Sequence, residues 1–169
     1  MVSEEETEGT RRAAWLGLIA LTQVLPPVLD SHASRDTAST HYEYFVLSRL
    51  AEESGRRMRM SALATATSAS ASRLSHVVKR LESRGLVERV PCEEDGRATN
   101  AVLTAAGAEL VEAAAPGHLE LIREKLLGAL TTAQHEQLAE ISAALIDSID
   151  PARRPSDACE SVMQSAASR

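Results

Sequence analysis

Apolar residues recur along this chain with a helical period over most of its length, and the period changes only once. From Arg11 onward, Trp15, Leu18, Ile19, Thr22 and Leu25 follow one face of a helix. Pro26-Pro27 predicts a break or kink, because a proline inside a helix lacks the amide donor and its ring crowds the preceding turn. Val28 and Leu29 resume the pattern briefly, and residues 30–40, rich in Ser, Ala and Asp, read as a connector. A second amphipathic helix over 41–53 carries Tyr44, Phe45, Leu47, Leu50 and Ala51 on one face. Gly55 with Arg56, Arg57 and Arg59 separates it from a short helix that Ser61 opens and that ends near Thr67. Ser70 reads as the N-cap of a longer helix ending at Gly85, since Ser accepts from an orphan amide and Gly adopts the left-handed cap.

Beyond Gly85 the period shortens. Residues 86–90 and 101–103 are short apolar or β-branched runs around the polar stretch 91–97, whose Asp95-Gly96 pair is a hairpin signal. Helical spacing then returns. Thr104 caps a long Ala/Leu/Glu helix, interrupted near Pro116-Gly117 and continuing through Leu127. Thr131-Thr132 opens a last helix with Leu138, Ile141, Leu145, Ile146 and Ile149 on one stripe; after Pro151 the chain is polar and aperiodic. Helix, tight turn, helix and β-hairpin in that order define a mainly α protein with a small β-hairpin wing, a winged helix-turn-helix.

Composition narrows the class. The chain of 169 residues is 44% hydrophobic and 25% charged, as in ordinary globular proteins. No uninterrupted apolar run approaches the ~20 residues that span a bilayer, and the acidic start, Glu4-Glu5-Glu6, is unlike a secretory signal. The expected compartment is cytoplasmic, with no membrane partner. Cys92 and Cys159 form neither a disulfide framework nor a metal spacing, so no cofactor or metal is expected. The net charge of −6 speaks against a polyanion partner, but its distribution reverses that. From Arg56 to Arg97 nine Lys/Arg stand against five Asp/Glu, while the rest of the chain has nine against nineteen. A basic segment in an acidic frame is the footprint of a nucleic-acid contact.

The candidate chemistry lies on the helix opened by Ser70. Leu74, Val77, Val78 and Leu81 form an anchoring stripe, and Ser72, Arg73, Ser75, His76, Lys79 and Arg80 lie opposite. Arg and Lys contact guanine edges or phosphates, and Ser and His add donors and acceptors. A merely solvated face is the alternative. At the hairpin tip Arg97 is placed to reach a minor groove, and Asp95 to orient its guanidinium through a charge-assisted hydrogen bond. An ordinary Asp-Gly turn with an incidental arginine is the competing reading.

Five segments occur in order: Arg59-Met60-Ser61-Ala62-Leu63-Ala64; Ser70-Ala71-Ser72-Arg73-Leu74-Ser75; Leu81-Glu82-Ser83-Arg84-Gly85-Leu86-Val87-Glu88-Arg89; Glu94-Asp95-Gly96-Arg97-Ala98; and Leu103-Thr104-Ala105-Ala106-Gly107. Together they resemble the MarR family of multiple-antibiotic-resistance regulators, from about Trp15 to Ile149. The resemblance implies a homodimer whose N- and C-terminal helices interdigitate. It also implies a pseudo-palindromic double-stranded DNA operator, repression, and release by a small-molecule effector or by oxidation. The chain then divides into a flexible N-terminus (1–10), an N-terminal dimerisation helix and connector (11–40), a DNA-binding lobe (41–103), C-terminal dimerisation helices (104–150) and a flexible tail (151–169).

Trp15 and His41 are candidate effector-binding residues, with core or dimer packing the alternative for Trp15. His32, His41 and His118 could line a pocket between the dimer helices and the DNA-binding lobe, although ordinary surface positions fit their spacing better. Cys92 beside the wing suggests a redox sensor, but Glu93, Glu94 and Asp95 disfavour its thiolate. Two other classes compete. Ser, His and Asp are present, yet no nucleophile elbow, phosphate loop or metal cluster joins them into an enzyme site. A winged-helix interaction module without DNA binding is opposed by the clustered basic residues.

Overall fold

The computed structural model describes residues 4–92, 95 and 97–150. Helix α1 (Glu4–Thr37) is a single element, without the break that is one of the two outcomes expected at Pro26-Pro27. The segment expected to be flexible is helical from Glu4, and Glu8 and Arg11 pair one turn apart at 3.9 Å. Pro26 and Pro27 lie inside the helix without ending it. Two missing amide donors cost locally, but long helical segments flank the pair, and beyond it Ala33 and Thr37 are buried as α1 packs on α2 and α5. The expected connector is therefore mostly helix, and the turn shrinks to Ala38–Thr40. The tail expected at 151–169 lies outside the described residues.

Helix α2 (His41–Glu52) starts in a capping box: Thr40 Oγ1 accepts from the Glu43 amide at 3.2 Å, and Glu43 Oε2 accepts from the Thr40 amide at 2.9 Å. A turn of 3₁₀ helix leads into strand β1 (Arg57–Arg59), which the hydrophobic pattern does not announce. Helices α3 (Met60–Ala66) and α4 (Ala71–Ser83) follow, then β2 (Val87–Pro91) and β3 (Thr99–Leu103). The antiparallel sheet has the order β1-β3-β2, with Arg57 opposite Val102 and Val87 opposite Leu103. Leu47, Leu50, Leu63, Leu74, Leu81 and Val87 are fully buried where α2, α3, α4 and the sheet meet.

Helix α5 (Ala105–Glu120) passes through Pro116-Gly117 unbroken into a π-helical turn (Leu121–Leu126), and α6 (Thr132–Ile149) follows. The joint between α4, β3 and α5 explains the Leu-Thr-x-x-Gly segment. Helix α4 ends in a Schellman motif, with the Leu86 amide on the Leu81 carbonyl and the Gly85 amide on the Glu82 carbonyl. Gly85 takes φ +71° there, which a side chain resists. Thr104 Oγ1 donates to the Gly85 carbonyl at 2.7 Å and accepts from the Gly107 amide at 3.0 Å, capping α5 while holding it to the end of α4. At Gly107 a Cβ would collide with the Leu86 carbonyl oxygen and Leu103 Cδ1.

The ends of the chain are less covered. Trp15, Leu16, Leu21 and Val24 on α1 and Leu138, Ile141, Leu145 and Ile149 on α6 are exposed. Among the described residues, the stretch Thr7–Thr37 is long and apolar enough to cross a membrane by length and composition, although no uninterrupted apolar run has that length. A helix whose apolar face meets a partner helix has the same signature.

Candidate nucleic-acid interface

Helix α4 separates into the two faces expected of it. Leu74, Val77, Val78 and Leu81 are buried, and Ser72, Arg73, Ser75, His76, Lys79 and Arg80 are exposed. Ser70 is the N-cap: its Oγ accepts from the Arg73 amide at 3.2 Å and lies 3.2 Å from Ser72 Oγ. That cap fixes the start of the helix, so the side chains of its first turn leave it in a defined direction.

The arginines of α4 do not all point away from the protein. Arg73 Cζ stands 4.3 Å from the Tyr42 ring centroid, a cation–π arrangement, and the Tyr42 hydroxyl donates to Thr67 Oγ1 at 2.9 Å. Arg80, grouped by spacing with the outward residues, has its Nε 2.9 Å from Glu43 Oε1. Arg84 donates to Ser39 Oγ at 2.8 Å and to the Thr37 carbonyl at 2.9 Å. Arg89 at the root of the wing donates twice to Glu82 Oε2, at 3.0 and 2.6 Å. Tyr42 and Glu43 thus contact arginines of α4, and Arg84 holds the end of α1, placements that face periodicity alone misses. The Thr40-x-x-Glu43 capping-box spacing was the available signal for Glu43.

At the wing Asp95 and Arg97 are both exposed. Asp95 Oδ1 accepts from the Arg97 backbone amide at 3.1 Å, not from its guanidinium. The carboxylate shapes the turn and leaves the arginine side chain to extend. This corrects the orienting role expected of Asp95: an Asx-type bond two residues on is the shorter reach. Cys92 is buried where the hairpin leaves β2, so its thiol has little access to a dissolved oxidant. Cys159 lies outside the described residues.

A second cluster forms where α1, α2 and α5 meet. The rings of His41 and His118 stack at 5.6 Å between centroids, and Tyr44 tilts against His118 at 4.9 Å. His32 Nε2 lies 3.3 Å from Asp36 Oδ2, and the His41 backbone amide donates to Asp30 Oδ1 at 2.7 Å. Gly117 permits this approach, since a Cβ there would come within 2.9 Å of Asp36 Oδ2. Burial pushes His118 down to about 4, aided by the charges of His41 and then His32. Burial likewise lowers His41, against an upward pull from Asp30. The three histidines that read as surface positions therefore form one half-buried group. Trp15 is not part of it: it is 60% exposed and some 25 Å along α1 from His32.

An anchored second helix with an exposed polar face, flanked by a stranded wing, defines a winged-helix DNA-binding protein. The MarR family model matches residues 39–98. The chain is similar to Sco3205 of Streptomyces coelicolor, a MarR family transcriptional regulator solved in complex with DNA, at 35% identity and a TM-score of 0.81, covering 89% of this chain and 91% of that one. It is also similar to AbsC, a MarR family transcriptional regulator of the same organism, at 32% identity and a TM-score of 0.78, covering 88% and 97%. No curated protein matches. The chain belongs to the MarR family and is a DNA-binding transcriptional regulator.

Proposed function

We propose that this regulator is a homodimeric, ligand-responsive repressor acting on a pseudo-palindromic operator in the cytoplasm. The observation that carries the reading is the uncovered aliphatic surface at the two ends of the chain, where Val24 is 64% and Ile149 80% exposed. Apolar surface of this extent on α1 and α6 is what a second copy would bury. In this reading residues 11–40 and 104–150 make the dimer, with Trp15 on its face, and 41–103 is the DNA-binding lobe. Two copies of α4 then enter successive major grooves about one helical turn apart. Ser72, Arg73, Ser75, His76 and Lys79 supply base-edge and phosphate contacts, Ser70 sets the helix start, and Arg97 approaches the minor groove from a turn shaped by Asp95.

The effector site of this reading is the junction of His32, His41, His118 and Tyr44. Among the described residues, His41 Nδ1 and His32 Nε2 are buried without a hydrogen-bond partner, although the latter has Asp36 at ion-pair distance. Buried polar atoms of this kind favour a ligand that satisfies them. Selection of bound duplexes from a random DNA pool tests the proposal. It should return an inverted repeat with half-sites about one turn apart. Recovery of duplexes with no shared sequence, or of a single unrepeated half-site, would count against it.

A further inference from the structure

We propose that Arg80 and Arg84 serve DNA recognition as positioning residues rather than as contacts, clamping α4 to the corner between α1 and α2, with Glu43 as the central acceptor. The inference rests on the reading of α4 as the groove-entering helix.

Three arginines, Arg73 and Arg80 on α4 and Arg84 at its C-cap, reach back to one short segment. Arg84 holds the Thr37 carbonyl and Ser39 Oγ at the end of α1, both on buried residues. Arg80 holds Glu43 at the start of α2. Arg73 lies over Tyr42 between them. Glu43 divides its carboxylate between two tasks: Oε2 caps α2 through the Thr40 amide and hydroxyl, and Oε1 faces Arg80. The Glu43 side chain is only 7% exposed, against 61% for Arg80. An ion pair with both members in water contributes little. Here the acid is out of water, so removing its partner leaves a buried charge uncompensated. For Arg80 to turn its Nε to a phosphate, it would have to abandon that buried carboxylate.

The arrangement also accounts for what the outward residues lack. Ser72, Ser75, His76 and Lys79 are exposed side chains on a helix that must enter a groove at a set angle. The hydrophobic stripe fixes the depth of α4. Directional bonds from Arg80 in the last turn of α4 and Arg84 at its C-cap to the α1–α2 corner set its rotation and tilt.

The test is a double-mutant cycle on the full-length dimer and its selected operator, with Glu43→Gln, Arg80→Gln and the pair. Glu43→Gln removes a negative charge beside the DNA face, so electrostatics alone would tighten binding. The clamp predicts that it weakens binding roughly five- to tenfold. Arg80→Gln should cause a similar loss with an unchanged salt slope, and the pair should lose no more than either alone. Additive losses, tighter binding by Glu43→Gln, or a salt slope lowered by about one counterion per protomer in Arg80→Gln would each overturn the proposal. If Glu43→Gln fails to fold by circular dichroism, the same cycle on Ser39→Ala and Arg84→Gln decides, with the same non-additive result expected. Absence of any operator binding by the wild type would instead refute the reading of α4 on which the clamp depends.

Discussion

Acidification should destabilise this protein in part through the His118 ring, and replacing His118 should reduce that sensitivity. His118 is held at about 4 in the folded chain, chiefly by burial and then by the charges of His41 and His32, against an ordinary value of 6.5. An unfolded chain takes up the proton near pH 6.5 and the folded chain only near 4. The unfolded state therefore binds more protons throughout that window, and stability falls as pH drops through it. Each unit of displacement corresponds to about 1.4 kcal/mol, which sets a ceiling of about 3 kcal/mol for the whole window. The ring is only half-buried, so solvent screening brings the expected loss between pH 7 and pH 4.5 to about 1–2 kcal/mol per chain. Urea denaturation followed by circular dichroism, at fixed protein concentration, measures it at both pH values. Carboxylates shift the baseline, so the informative quantity is the difference between wild type and His118→Phe. The variant should lose less stability on acidification by about 1–2 kcal/mol. Equal losses in the two proteins would refute the account of a neutral, desolvated His118.

Gly107→Ala should destabilise the fold by about 2–3 kcal/mol, read from the urea midpoint, because the new methyl meets the Leu86 carbonyl oxygen and Leu103 with no room to shift; a neutral substitution would show that the α4–α5 joint is loose. Arg97→Ala should weaken binding across all operator variants alike and lower the salt slope by roughly one counterion per wing, by titration at several salt concentrations; unchanged binding at every salt would make the wing dispensable. Cys92→Ser should leave operator affinity and its response to peroxide as in wild type, because the thiol is buried. Release of the wild type but not the variant by peroxide would restore a redox switch.

Much of the DNA-binding lobe was legible because its elements carry local signals. Leu74, Val77, Val78 and Leu81 repeat at helical spacing, Ser70 and Gly85 bracket them, and Asp95-Gly96 marks the hairpin. Strand β1 was not legible. Arg57-Met58-Arg59 has one apolar residue and becomes a strand only because β3 offers it a free edge. The Pro26-Pro27 pair does not end the helix: a strong local breaker is overruled within a long helix whose far end is packed. The clamp on α4 joins residues some forty positions apart, Glu43 to Arg80 and Thr37 to Arg84. Spacing tells which face a residue occupies, not what approaches that face from elsewhere in the fold. The histidine group escaped in the same way, being contributed by α1, α2 and α5.

The central claim is that two chains together read one operator, and sedimentation of the full-length protein alone and on a selected duplex tests it most directly. The account predicts a stable dimer without DNA and two chains on each duplex, with the second half-site required for full affinity. A folded monomer in solution that loads one chain per duplex, indifferent to the second half-site, would contradict it.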